Sequence, residues 1–209
     1  MKKFFTVVPM QQKGDLTGYV YQARGNADLQ MENATRFPIL TSVNAYAVPG
    51  EDFRLIAVMP DLENERYNCG LLREELQKLC DAKGLTCLKG VEVVIISADE
   101  KVSSHVATFQ TLLDYVDDED ELHICMTYGT KPLSTAVIMA AQYAYRVKKN
   151  ASLSRVLYGK IVRPERDKAT WYGEVYDMTA LIQLDEIVRV LANRGVENPK
   201  ETIDRILEL

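Results

Sequence analysis

The chain has 209 residues, of which 47% are hydrophobic and 26% charged, with a formal net charge of −5. That length buries one substantial core and leaves little for a second, so one domain with an appended element is expected. The acidic balance excludes a broad electrostatic surface for duplex DNA, yet leaves room for a local cationic pocket that takes a small anion.

In chain order, "FFTVVP" (4–9) reads as a first strand, and the polar residues 10–34, with Gly14, Gly18 and Gly25, as a loop that covers a site. "TRFPILTSVNAYA" (35–47) follows as a helix, then "FRLIAVMP" (53–60) as a strand. "NCGLLREELQKLCDAKG" (68–84) is a helix closed by Gly84, "VEVVIIS" (91–97) a strand, and "SSHVATFQTLLDYV" (103–116) a helix opened by serine caps. The acidic "DDEDE" (117–121) is expected to be a solvated helix-to-strand loop rather than a cation site. "ELHICMT" (121–127) is a fourth strand in which His123 alternates with apolar neighbours, as a hydrogen-bonded structural residue does. "PLSTAVIMAAQYAYRVKK" (132–149) is a helix with Pro132 in its first turn and cations in its last.

After this helix the pattern changes. "LSRVLYGKIV" and "WYGEVYDMT" flank the polar "RPERDKAT", which reads as a β-hairpin whose "RPERDK" (163–168) is an exposed tip by default, with contact to a ligand or a partner as the alternative. The tail, "ALIQLDEIVRVLANRG" and "NPKETIDRILEL", reads as two amphipathic helices split at Gly195 and Pro199, with an apolar stripe for a core or a dimer seam. Short, nearly continuous apolar strands alternating with helices imply a sheet covered on both faces. The expected fold is α/β: a Rossmann-like, doubly wound, mostly parallel sheet with a C-terminal β-hairpin and helices. Residues 1–180 would form the Rossmann-type domain and 181–209 a helical extension.

The cysteines Cys69, Cys80, Cys87 and Cys125 form no CxxC pair, and only His105 and His123 are present to complete a metal cluster. Neither a metal nor another cofactor is therefore expected. Cys69 and Cys80 read as helix residues and Cys125 as a core strand residue. The opening apolar run is too short for a signal peptide, and no stretch approaches the roughly 18 apolar residues of a membrane span. A soluble, cytoplasmic protein with no membrane partner is the expectation.

In the commonest doubly wound order the first and fourth strands are neighbours, and ligands bind beyond their carboxyl ends, where the winding reverses. The loops there are Pro9-Met10-Gln11-Gln12-Lys13 and Thr127-Tyr128-Gly129-Thr130-Lys131. Gly129 permits a positive φ and close backbone approach, Pro132 sets the first helical turn, and the free amide groups of that turn suit an anion. Lys131 adds a charge and Thr127 and Thr130 add hydroxyls, a set that suits a phosphate. The same pattern also describes a plain strand-to-helix turn with a surface lysine. Neither GxxxxGK[ST] nor GxGxxG is present, so the common nucleotide fingerprints are absent.

At these residues the sequence resembles the CARF domains of type III CRISPR systems, and within them the group with an Asp-x-Thr-His-Gly motif at the end of strand four. In "HICMTYGTKP", Thr127 and Gly129 match the motif, Tyr128 stands in place of its histidine, Cys125 in place of its aspartate, and Lys131 near a frequent arginine. "TRFPIL", "RVLYGKI" and "EVYDMTALIQLDE" are similar to further segments of that group, and the order of elements agrees over about residues 1–190. The resemblance implies a homodimer that binds cyclic tetra- or hexa-adenylate where two crevices join across a two-fold axis. It would place phosphates on the Gly129 and Lys131 turns, adenine edges at Gln11 and Gln12, a base against Met10, and Tyr128 in stacking or hydrogen bonding. Pro9 and Thr130 would complete the contacts.

Members of that family often carry a fused or separate effector. The Arg and His pattern of its ribonuclease effectors is missing here, and the tail is too short for a nuclease domain. Three roles stay open: a free-standing sensor, the sensor piece of a longer chain, or a metal-independent ring nuclease. In the last, a ribose 2′-hydroxyl attacks in line while Lys131 and Thr127 stabilise developing charge. The competing readings are a nucleotide-binding or small-molecule enzyme on the same fold, and a purely structural interaction domain.

Overall fold

A computed structural model describes residues 1–208. β1 (Lys2–Val7) is buried from Lys3 onward, as a continuous apolar run covered on both faces should be. Residues 10–34 are not all loop. They hold a short strand, β2 (Tyr21–Arg24), and a 3₁₀ turn over Ala27–Leu29. β2 buries only Tyr21 fully, so it presents no apolar run to read; its order comes from parallel pairing with Gly173–Tyr176, where the Tyr21 ring lies on Gly173.

α1 (Ile39–Tyr46) starts at Ile39 rather than Thr35. Pro38 disfavours helical geometry in the residue before it, and Glu75 holds the segment from outside. It accepts from the Thr35 hydroxyl at 2.6 Å and from the Arg36 guanidinium at 2.6 Å. β3 (Asp52–Pro60) leads into α2 (Glu63–Lys83), where Cys69 and Cys80 are buried. β4 (Thr86–Ile96) begins earlier than its apolar run, because a bulge at Lys89 and Gly90, with φ of 59° and 62°, shifts the register opposite Phe53 and Leu55 and lets pairing continue.

α3 (Val102–Leu113) is not opened by serine caps. Ser103 and Ser104 lie inside its first turn, and Asp99 organises the end instead, accepting from the Ser104 hydroxyl at 2.6 Å and the Lys101 amide at 3.0 Å. β5 (Glu121–Cys125), α4 (Lys131–Val147), β6 (Ser152–Val162) and β7 (Tyr172–Asp177) complete this unit, with β6 and β7 forming the antiparallel hairpin.

The seven strands lie in the order β2-β7-β6-β5-β1-β3-β4, parallel except between β6 and β7. This is the Rossmann-like, doubly wound arrangement, with β1 and β5 side by side in the register Thr6↔Cys125. Neighbouring residues of β1 feed opposite layers: Phe4 packs with the cluster of α1 and α2, Phe5 and Val7 with that of α3 and α4. The acidic loop before β5 is only partly solvated. Asp120 is buried, and Lys3 Nζ lies 2.6 Å from it and 2.7 Å from Asp117.

The chain divides into two units, Met1–Asp177 and Met178–Leu209. The second holds α5 (Thr179–Arg194) and α6 (Pro199–Leu207), separated at Gly195; Lys200 and Asp204 pair at 2.7 Å along α6. Leu181, Val188 and Leu207 are exposed apolar residues of these helices. No helix among the described residues is long and apolar enough to cross a membrane.

Candidate functional site

The switch point lies beyond Val7 and Cys125, where β1 has β3 on one side and β5 on the other. From β5 the chain enters the turn Met126–Thr130. Gly129 there has φ +89°, and a Cβ on it would sit 2.8 Å from Val7 Cγ1, so the turn approaches β1 as closely as only glycine allows. Thr130 caps α4, its hydroxyl accepting from the Leu133 amide at 3.4 Å. The same hydroxyl donates to Glu100 Oε2 at 3.2 Å, and His105 Nε2 lies 3.2 Å from that oxygen. A carboxylate thus already stands at the amino end of α4, the place where an incoming anion would go.

Thr127 is half-buried and its hydroxyl is engaged. It accepts from the Gly159 amide at 2.7 Å and lies 3.0 Å from Cys125 Sγ. Gly159 itself admits no side chain, since a Cβ would meet Pro38 Cγ at 2.4 Å. The Tyr128 hydroxyl turns inward and donates to the Arg36 carbonyl at 2.6 Å. Burial, foremost, pushes the phenols of Tyr128 and Tyr21 far above their usual range, so neither serves as a base near neutral pH. Lys131 is exposed. On the other loop, Asn68 of α2 donates to the carbonyls of Pro9 and Gln11, both at 2.9 Å, which pins the backbone after β1. Pro9 is buried, while Met10, Gln11 and Gln12 are exposed.

A cleft of about 260 Å³ opens at this end of the sheet. Gln11, Thr127 and Tyr128 line it; Pro9, Met10, Gln12, Gly129, Thr130 and Lys131 lie outside its wall. Asp15, Thr17 and Tyr19 come to it from the loop between β1 and β2, and Tyr21 from β2 itself, so residues 10–34 do border the site. From the hairpin come Gly159, Ile161, Arg163, Lys168 and Trp171. For the hairpin, the sequence favours an exposed tip over contact of "RPERDK" (163–168) with a ligand or partner, and assigns Trp171 no role. "RPERDK" is indeed an exposed tip, but two of its cations stand on the cleft side of it, next to the only tryptophan in the chain. That lone tryptophan beside alternating cations was the available signal.

A second constellation lies within the sheet. Ser42 Oγ is 2.9 Å from His123 Nδ1, and His123 Nε2 is 3.2 Å from Glu121 Oε1. The imidazole also stacks on Phe4 with centroids 4.6 Å apart. This resembles a Ser-His-Glu relay, but Ser42 and His123 are both fully buried, so no substrate carbonyl reaches the hydroxyl. Burial lowers the pKa of His123, and the neutral ring then donates from Nε2 to the carboxylate while accepting from Ser42. His123 is the hydrogen-bonded structural residue its strand position implies. Among the described residues, no group of three or more His, Cys, Asp or Glu side chains is placed to hold a metal ion.

No family model matches the chain, and no curated protein matches it.

Proposed function

We propose that this protein binds a cyclic oligoadenylate, a tetra- or hexa-adenylate ring, at the cleft beyond β1 and β5, and acts in the cytoplasm as a CRISPR-associated sensor. One observation carries the reading: the cleft lies at the switch point of the sheet and sets Arg163 and Lys168 beside a tryptophan and three tyrosines, in a chain that is acidic overall. Cations supply phosphate contacts and aromatic rings supply base stacking. The sequence resemblance supplies the identity of the ligand.

A volume of about 260 Å³ is at the low end for a small-molecule site and suits one nucleotide unit rather than four. A ring therefore needs a second copy of the cleft, which a homodimer provides. An apolar groove between α3 and α4, formed by Val102, Val106, Phe109 and Met139 and reaching Pro132 beside the Gly129 turn, supports pairing on that side. Sensing is favoured over ring cleavage. The Thr127 hydroxyl is held by Gly159 and Cys125, and the exposed Lys131 lies off the cleft wall, so neither is fixed for in-line attack. Signal output would pass to a fused or separate effector.

Thermal-shift measurements with cyclic tri-, tetra- and hexa-adenylate, followed by chromatography of the incubated ligand, test this. Stabilisation with an intact ring is the expected result; linear products without added metal would make the protein a ring nuclease. The nucleotide-sized cleft also favours a second reading, a mononucleotide-binding enzyme. It predicts stabilisation by AMP or ATP and none by any ring.

A further inference from the structure

The hairpin tip is built around Trp171. Its indole N–H donates to the Glu165 carbonyl at 2.9 Å, which fixes the ring across the tip. Two cations then rest against it: Arg163 Cζ is 4.8 Å and Lys168 Nζ 6.0 Å from the ring centroid. Such contacts leave each cation its full charge while restricting its rotamers. Neither cation has a carboxylate within salt-bridge distance among the described residues, although carboxylates neutralise Arg24, Arg36 and Arg54 elsewhere in the same unit. Asp15 is the single acidic residue on the cleft wall, so two fixed cations face it against one anion.

We infer that Arg163 and Lys168, held on Trp171, are the phosphate-binding arm of the cleft, taking the phosphate of one nucleotide unit while the opposite wall takes the base. This rests on reading the cleft as a nucleotide site. Arg163 offers a planar fork to two phosphate oxygens, and Lys168 adds a point charge. Because both side chains are already ordered by the indole, less conformational entropy is lost on binding than for free surface cations. The Gly129 turn, with Glu100 at the end of α4, is then a structural corner rather than the main anion contact.

Trp171 is the only tryptophan, so its fluorescence reports on the arm alone, whereas calorimetry reports binding anywhere. The intact chain is titrated with cyclic tetra-adenylate, AMP and pyrophosphate by both methods. The expected result is a fluorescence change that saturates with the heat, and a loss of roughly ten- to a hundredfold in affinity for each of Arg163→Ala and Lys168→Ala. Trp171→Ala weakens binding about two- to fivefold, and Trp171→Phe, which keeps a ring under the cations, restores it. Circular dichroism stays unchanged in all four variants, since the tip is exposed. Calorimetric binding of the cyclic ligand with silent fluorescence and undiminished affinity in the double variant would overturn the arm while leaving the proposed function standing. Binding of AMP or pyrophosphate that moves the fluorescence and disappears in the double variant, with no response to the ring, would keep the arm and remove the cyclic ligand. Silence with all three probes by both methods would remove both.

Discussion

Along β1 and the first residues of β5, buried ionisable groups are matched. Lys3 sits between Asp117 and Asp120, and His123 between Ser42 and Glu121. At the carboxyl ends of the same strands, Arg163 and Lys168 face a cleft with no carboxylate in contact. A charge already paired in the interior cannot serve a ligand without breaking the fold, whereas an ordered cation without a counterion is free to meet one. The matched end should respond to mutation and pH in stability, and the unmatched end in binding.

The largest effect is expected at Lys3. Lys3→Met removes the 2.6 Å cation from buried Asp120 and leaves it only the N-terminal ammonium at 3.5 Å, at a cost of about 3 kcal/mol in unfolding by urea. Adding Asp120→Asn recovers part of that loss, and ligand affinity of the folded fraction stays as in the parent. A normal urea midpoint for Lys3→Met would mean that the pair is not holding this end. Next comes Gly159→Ala, where the new methyl meets the rigid ring of Pro38 and approaches the Thr127 hydroxyl at 3.1 Å. Overpacking of this kind costs about 1–3 kcal/mol and should lower the melting temperature, with binding weakened too because Thr127 and Tyr128 line the cleft.

Acid titration distinguishes the two ends without mutation. His123 is neutral in the folded state with a lowered pKa, so between the unfolded value of about 6.5 and that lower value the unfolded chain binds the extra proton. The contribution is therefore fully present above about pH 6.5 and is lost as pH falls, at no more than about 1.4 kcal/mol per pH unit. Glu121 adds a second, more acidic window. The hydrogen bond from His123, opposed by desolvation, holds its carboxyl down at about 2, so its contribution is present above the unfolded value of about 4.3 and fades as pH drops towards 2. His123→Gln should flatten the first slope in urea midpoints measured from pH 7 to 5. An unchanged slope would show that another group carries it.

The strand and helix pattern is legible wherever one residue run buries itself locally. β1, β3, β5 and the hairpin follow directly from apolar continuity, and Gly129 follows from the demands of a tight strand-to-helix turn. β2 was not legible, because a single buried tyrosine carries it and its partner lies on β7. The Pro38 boundary of α1 was written in the sequence as a proline rule, but the apolar run obscured it. The site divides in the same way. Thr127, Tyr128 and Gln11 line the cleft from the loops the fold class points to, whereas Arg163, Lys168 and Trp171 reach it because the hairpin runs on past Leu157, where β6 leaves β5. The local pattern marks a tryptophan among cations there, but not which side of the sheet end they meet.

The smallest expected effect belongs to Lys131, the residue the sequence points to first. It is exposed, off the cleft wall, and follows a cap whose hydroxyl already faces Glu100. A solvated cation at that distance acts on a ligand through water and salt, where single charges are worth about 0–1 kcal/mol. Lys131→Ala should therefore weaken binding of cyclic tetra-adenylate by less than about fivefold, and raising the salt should erase even that difference. A hundredfold loss, persisting in salt, would reverse the comparison: the α4 turn would then be the phosphate contact, with Glu100 displaced on binding, and the hairpin tip would be its cover.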